Sequence, residues 1–318
     1  EQLAKLSERS NWQGLVQLAG HFGTIVAVGW ALSVTGSSWL SLPLFMLLGV
    51  LLNYLYAPTH ECDHFTAFKS RWLNIWVARL CGFIIFNPSD HHRWTHFAHH
   101  RNTQDWQKDT ELNRPEIRTA GQYLLALSGL PLIRSKLGSI MKHAFVGVDE
   151  WYLTPGQQQR VKLAARWHVA GYAIAIGSAL AVQAWWVLVF WWGPFFLMRW
   201  SYMLQGLGEH TGLTHQPHTL WNTRTFSTNW FMRWVNWNMT YHCVHHTFPG
   251  VPFYRLPILH REVEYRLGYA LPRTSYSKLH WQQFWALREG RTELEICAEH
   301  DYQLIAAGRL VAVTSKQV

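Results

Sequence analysis

The sequence predicts an all-α integral membrane protein in which four transmembrane helices carry a helical cytosolic cap holding a histidine-rich metal site. Three observations predict this. Of the 318 residues, two blocks are almost free of Asp, Glu, Lys and Arg, and each is long enough for two spans of about twenty residues. Three histidine clusters with helical spacing lie just outside those blocks. The chain carries 20 Trp with only 15% charged residues, and a ring with one polar N–H suits the boundary between lipid and water.

No Asp, Glu, Lys or Arg occurs between Arg9 and Glu61. Spans are predicted near residues 12–34 and 39–57, joined by the small polar turn Thr35-Gly36-Ser37-Ser38. Residues 61–166 are polar and basic. Their apolar pieces, Trp72–Phe86 and Gln122–Leu132, are short for a bilayer, and interfacial or buried helices are expected there. The second block starts at Trp167 and is broken only by Arg199 before Glu209, giving spans near 167–182 and 184–207. Arg199 lies about two turns from the end of the last span, near enough to snorkel toward the head groups. The sequence then returns to mixed charge, and the tail from His260 reads as a packed helical lid. With no linker and no repeat beyond the paired blocks, residues 1–318 are read as one domain, its cap formed by 58–166 and 208–318.

The turns around Gly36 and Gln183 carry no Lys or Arg, and of the 28 in the chain only Arg199 falls within a predicted span. The positive-inside rule puts the N-terminal segment, the middle region and the tail on the cytosolic side, of the inner membrane if the protein is bacterial. All three histidine clusters lie there. A formal charge of +9 would suit nucleic acid, but no Lys/Arg run or nucleic-acid motif occurs, and nucleic acid is not an expected partner. Cys62, Cys81, Cys243 and Cys297 form no C-x-x-C pair and are expected as reduced thiols. The polar opening Glu-Gln-Leu-Ala-Lys gives no sign of a cleavable signal peptide.

The stretch His92-Arg-Trp-Thr-His96-Phe-Ala-His99-His100 sets four imidazoles at helical offsets, on one face. His60 and His64 stand at i, i+4, and His242, His245 and His246 at i, i+3, i+4. A lone histidine is usually a satisfied polar residue. Three clusters in the same spacing point instead to a metal site, because neutral imidazole binds iron, zinc, copper or nickel. His92 either ligates or supports the site one turn before His96. Each ligating ring needs a partner on its other nitrogen. Glu61, Asp63, Asp105, Asp109 and Glu209 stand beside the clusters as candidate partners, and Asn238 lies four residues before His242, on the same face of a continuous helix.

In order along the chain, His60-x3-His64, His96-x2-His99-His100 and His242-x2-His245-His246 resemble the three histidine boxes of the membrane fatty acid desaturase superfamily. That superfamily includes acyl and sphingolipid desaturases, related hydroxylases and carotenoid ketolases. The likeness runs from about Asn53 to His260. It includes the polar tail His100-Arg-Asn-Thr-Gln-Asp105-x3-Asp109 and the trailer Pro249-x-Val251-Pro252, then Leu256-Pro257-x2-His260. The resemblance implies a two-iron centre held by His60, His64, His96, His99, His100, His242, His245 and His246. It also implies one further histidine between the last span and the third box, a place taken by His210 with His215 as rival.

The same resemblance implies dioxygen-dependent oxidation, specifically desaturation, of an aliphatic lipid-like chain. Side chains alone cannot oxidise an unactivated C–H bond, so a metal pair and dioxygen must. The sequence has no haem motif, iron–sulfur cysteine array or dinucleotide fingerprint, so electrons are expected from a separate ferredoxin, rubredoxin or cytochrome. A basic cytosolic face would suit an acidic carrier. A hydroxylase or ketolase on the same scaffold is the first alternative. A non-catalytic membrane metal-binding protein is the second, although a transporter would be expected to carry its ionisable groups at mid-bilayer.

Overall fold

The computed structural model describes residues 1–36, 38–112 and 114–309. After a short α1 (Gln2–Leu6), the side chain of Ser10 accepts from the Gln13 N–H and starts α2 (Asn11–Thr35). Gly36, at φ 57°, turns the chain toward α3 (Ser41–Asn53); Ser37 of the predicted turn lies outside the described residues. His21, in the middle of α2, is buried, with its Nε2 3.0 Å from the Leu51 carbonyl and Trp237 Nε1 donating to its Nδ1 at 3.3 Å. A polar ring inside an apolar helix is thereby satisfied without water.

After α3, the chain bends at Tyr54 and Leu55 into α4 (Tyr56–Asp63), and Ser41–Asp63 together form a 23-residue apolar stretch. Then follow α5 (Arg71–Ile84) and α6 (Ser89–Asn102). Next come α7 (Ala120–Leu127) and α8 (Leu130–Met141), the latter widening into a π turn at Lys142–Val146. A capping box of Thr154 and Gln157 with Pro155 in the first turn starts the long α9 (Pro155–Ala181). Beyond it lie α10 (Trp186–Leu197), α11 (Arg199–Gly206), α12 (Trp230–Val235), α13 (His242–Thr247), α14 (Leu256–Leu267), α15 (Tyr276–Arg288) and α16 (Glu293–Ala306). Among the described residues the strands are β1 (Thr225–Phe226) and β2 (Arg273–Thr274), paired in parallel with Thr225 opposite Arg273.

The chain is thus mostly helical, as expected, but the spans differ in detail. Among the described residues, two helices are long and apolar enough to cross a membrane, Asn11–Thr35 and Ser41–Asp63, close to the first predicted pair. The second predicted pair does not pass the same test. The first half of α9 is polar (Pro-Gly-Gln-Gln-Gln-Arg), and the apolar run of α10 contains Pro194 and breaks at Met198. The piece read as an interfacial or buried helix at Gln122–Leu132 extends further than expected. Ala120–Leu127 and Leu130–Val146 form a pair bent by 56°, which makes a third apolar crossing if it is one span. Gly129 makes the bend at φ 75°, and a Cβ there would sit 2.4 Å from Arg199 Cγ.

Arg199 does not snorkel. It is buried, donates to Asn53 Oδ1 at 3.0 Å and lies 4.3 Å over the Tyr202 ring. Many large apolar side chains face outward, among them Trp12, Trp30, Trp39, Trp167, Trp185 and Trp186. The tail packs as a lid. Arg114 forms a bidentate pair with Glu293 at 2.6 and 2.8 Å, and the Tyr123 hydroxyl meets His280 Nδ1 at 2.7 Å. The last predicted tail residues, 310–318, lie outside the described residues.

Candidate metal centre

Four segments deliver histidines to one place. His60 and His64 end α4, where Phe65 takes the left-handed φ of 58° and stops the helix. His96, His99 and His100 lie on α6, and His242, His245 and His246 on the six-residue α13. His210 follows α11 in a turn. The structure brings these nine together as two groups, in each of which one nitrogen per ring lies within 4.8 Å of the others: His60, His64, His96, His100 and His245, and then His99, His210, His242 and His246. Helices α6 and α13 each supply both groups, because neighbouring positions on a short helix diverge by about 100°.

Within the groups, His96 Nε2 lies 2.9 Å from His100 Nε2, and His242 Nε2 3.0 Å from His246 Nε2. His100 and His246 stack with centroids 4.0 Å apart, which joins the two groups. Both ring nitrogens of His60 and of His245 are buried without a protein partner, as are His64 Nε2, His99 Nε2 and His210 Nε2. So many orphaned imidazole nitrogens converging on two points would be costly in a finished core. They fit a pair of metal ions.

The electrostatics agree with neutral ligands. Burial, then the neighbouring imidazoles, hold His96, His100, His242, His245 and His246 well below the ordinary histidine range. Burial likewise takes His64 and His210 down to about 3. His99 goes the other way: burial lowers it, but the carboxylates of Glu111 and Asp109 outweigh burial and raise it to about 9. Asp109 accepts from His99 Nδ1 at 2.7 Å and from the backbone N–H of Gln104 at 2.7 Å. His210 Nδ1 donates to the Asn222 carbonyl at 2.9 Å, leaving Nε2 as the lone-pair atom facing its group. Glu209 sits with Oε1 3.4 Å from His242 Nδ1 and accepts from Gln205 at 2.6 Å; burial pushes its pKa well above the carboxylate range.

Other candidates lie elsewhere. His92 joins neither group: Nδ1 meets Asp63 Oδ2 at 2.6 Å and Nε2 meets the Tyr56 hydroxyl at 3.3 Å, so both nitrogens are engaged one turn before His96. Asp63 therefore serves His92, not a clustered ring, and also faces Arg93 at 3.4 Å. Asp105 reaches no histidine; its Oδ1 caps the local turn by accepting from the N–H of Gln107 and Lys108. Glu61 instead accepts from the Thr66 hydroxyl at 2.7 Å and the Phe253 N–H at 3.2 Å, tying box one to the trailer of box three. Asn238 is not on the face of His242. It is left-handed at φ 56°, the helix begins only at His242, and its Nδ2 donates to the Phe253 carbonyl. His215 binds the Gln104 carbonyl and Trp106 Nε1, outside both groups.

The sequence reading missed Glu111. Its Oε1 lies 3.6 Å from His96 Nδ1 and its Oε2 3.7 Å from His99 Nε2, so one carboxylate faces both groups. It follows Asp109 by two residues in a turn that doubles back on α6, where no periodicity marks a position as inward.

The chain resembles known proteins over most of its length. The family model described as "Fatty acid desaturase" matches residues 37–277. An "sn-1 oleoyl-lipid 12-desaturase" of Arthrospira platensis is 24% identical over 249 residues, covering 73% of this chain and 70% of that one. The protein of the same description from Picosynechococcus sp. is 24% identical over 289 residues, 86% of this chain and 82% of the other. An "sn-1 acyl-lipid omega-3 desaturase (ferredoxin)" of Nostoc sp. is 29% identical over 123 residues, 35% of this chain and 34% of that one.

Proposed function

The chain belongs to the fatty acid desaturase family and is an oxidoreductase, and from that premise we propose that it desaturates an aliphatic lipid-like chain with dioxygen. The observation that carries the reading is the convergence of nine histidines in two groups whose buried nitrogens lack partners. His60, His64, His96, His100 and His245 would hold one iron, and His99, His210, His242 and His246 the other. When bound, the metal pair supplies activation of dioxygen for attack on an unactivated C–H bond. Two substrate hydrogens, two external electrons and two protons then reduce one dioxygen to two waters, and a C=C bond replaces two C–H bonds.

The chain's own residues orient and shield. Asp109 fixes the tautomer of His99 and the Asn222 carbonyl that of His210, so each presents Nε2 inward. Most of the nine rings are buried, which excludes bulk water from the reacting carbon. A small pocket of about 10 Å³ is lined by Phe86, Leu132, Ile133, Phe195 and the cations Lys136 and Arg199. From there Arg199 lies over Tyr202, Tyr202 packs on Tyr56 at 4.8 Å, and Tyr56 on His60 at 5.7 Å. An acyl chain would enter between the spans toward the first group, displacing these packed side chains.

The rest of the reading extends this one. The chain acts as one domain with four crossings, the second pair being the apolar half of α9 and the broken α10–α11, and the site faces the cytosol. Electrons come from a separate carrier. A ferredoxin-type donor is supported by the printed description of the Nostoc relative and by the +9 charge. The testing experiment counts metal and follows product. Protein from iron-supplied cells should hold two irons, reoxidise in dioxygen and form one double bond per turnover in lipid acyl chains. Protein with tight zinc and no iron after anaerobic reconstitution would refute the reading, and oxygen from dioxygen appearing in the product would move it to hydroxylation.

A further inference from the structure

Outside the nine histidines, a third set of metal-ligating side chains converges. His91 on α6, His143 in the π turn and Glu150 in the loop before α9 bring one donor atom each to within 4.8 Å of the others. His91 and His143 are buried, and their rings meet edge-on with centroids 4.5 Å apart. Glu150 Oε1 accepts from His143 Nε2 at 2.6 Å, while Glu150 Oε2 is buried with no partner at all. His91 Nε2 has only long contacts, 3.3 Å to the Tyr152 hydroxyl and 3.3 Å to Thr95 Oγ1.

A salt bridge between His143 and Glu150 would account for one contact and leave the facing imidazole and the second carboxylate oxygen unexplained. One ion at the centre satisfies all three. The backbone is adapted to the same end: the helix widens to i→i+5 bonding at Lys142–Val146, a rare local form that re-aims the side chains it carries. Two imidazoles and a carboxylate suit a divalent ion of borderline softness and leave a fourth position open.

We propose that His91, His143 and Glu150 form a separate divalent-metal site of the zinc class, which fastens the box-two helix α6 to the π turn and the loop before α9. None of its donors belongs to either histidine group, so it can be occupied independently of the oxidation chemistry.

The test counts zinc on full-length, iron-loaded protein equilibrated with zinc sulfate and then desalted. Wild type should retain about one zinc per chain more than Glu150→Gln, with equal iron in both. The same difference should appear against His143→Gln, and His91→Gln gives a third reading should either variant fail to fold. Zinc that is equal in wild type and in every folded variant overturns the site. Low iron with the zinc difference intact supports this site and counts only against the nine-histidine reading.

Discussion

Asp109→Asn tests how far the second histidine group depends on a partner beyond the rings. In the wild type, Asp109 Oδ1 accepts from His99 Nδ1 at 2.7 Å and from the Glu111 N–H at 2.9 Å, while Oδ2 accepts from the Gln104 N–H at 2.7 Å. Asparagine offers one acceptor oxygen and one NH2. If the amide faces Gln104, a buried N–H is left facing a donor; if it faces His99, the imidazole loses the acceptor that fixes its tautomer. Partners of this kind are worth about 10–100-fold in metal affinity, or about 1.4–2.8 kcal/mol. The stranded donor adds about 1–3 kcal/mol to the cost of folding. Iron retention against rising concentrations of an Fe(II) chelator, read on folded protein, should show one of the two irons released at 10–100-fold lower chelator. Unchanged release of both irons from the folded variant would refute the role given to Asp109.

Three further outcomes are expected. His210→Gln should lower iron content toward one per chain, whereas His215→Gln, outside both groups, should leave it unchanged; equal loss in both would reassign the ninth ligand. The metal-free protein should be most stable near pH 6.5. Histidines of both groups are held low in the fold, His64 and His210 to about 3, so below about 6.5 the unfolded chain binds more protons and stability falls as pH falls. His99, raised to about 9, has its full stabilising effect below 6.5 and loses it as pH rises through 9. Glu209, its pKa raised by burial, acts with the opposite sign on the acid side. Thermal unfolding in detergent at pH 5.5, 6.5 and 8 would show this, and no acid loss would contradict it. Finally, Gly49→Ala would put a Cβ 2.4 Å from Met198 Cγ and 2.5 Å from the Pro194 carbonyl, where α3 meets α10. Overpacking there should cost about 1–3 kcal/mol, read as a lower unfolding temperature; a change under about 0.5 kcal/mol would mean that the helices separate freely.

Eight of the clustered histidines were legible because a helix turns sequence spacing into a shared face, and His60/His64, His96/His100 and His242/His246 all keep that spacing, whereas His210 came only from the resemblance. The division into two groups was not, since it depends on how α6 and α13 are rotated against α4. Partners set by turns were the weakest part of the reading. Asp105 looks like Asp109 in sequence, yet one caps its own loop and the other reaches His99. Asn238 was misread because Trp237 and Asn238 both adopt positive φ, and nothing in their side chains announces it. The third cluster was invisible, because His91 and Glu150 are 59 positions apart and meet only through tertiary packing. Helices match the predicted spans where the apolar run is unbroken, and are interrupted where Pro194 and the polar start of α9 break it.

Because α6 and α13 each serve both groups, two ions held there would be thermodynamically linked. Seating the first fixes the rotation and separation of both helices, so the second meets donors already ordered and loses less conformational entropy on binding. The reciprocal holds for release. Loading should therefore be steeper in iron concentration than for independent ions, and a ligand lost from one group should also weaken, to a smaller extent, the ion held by the other.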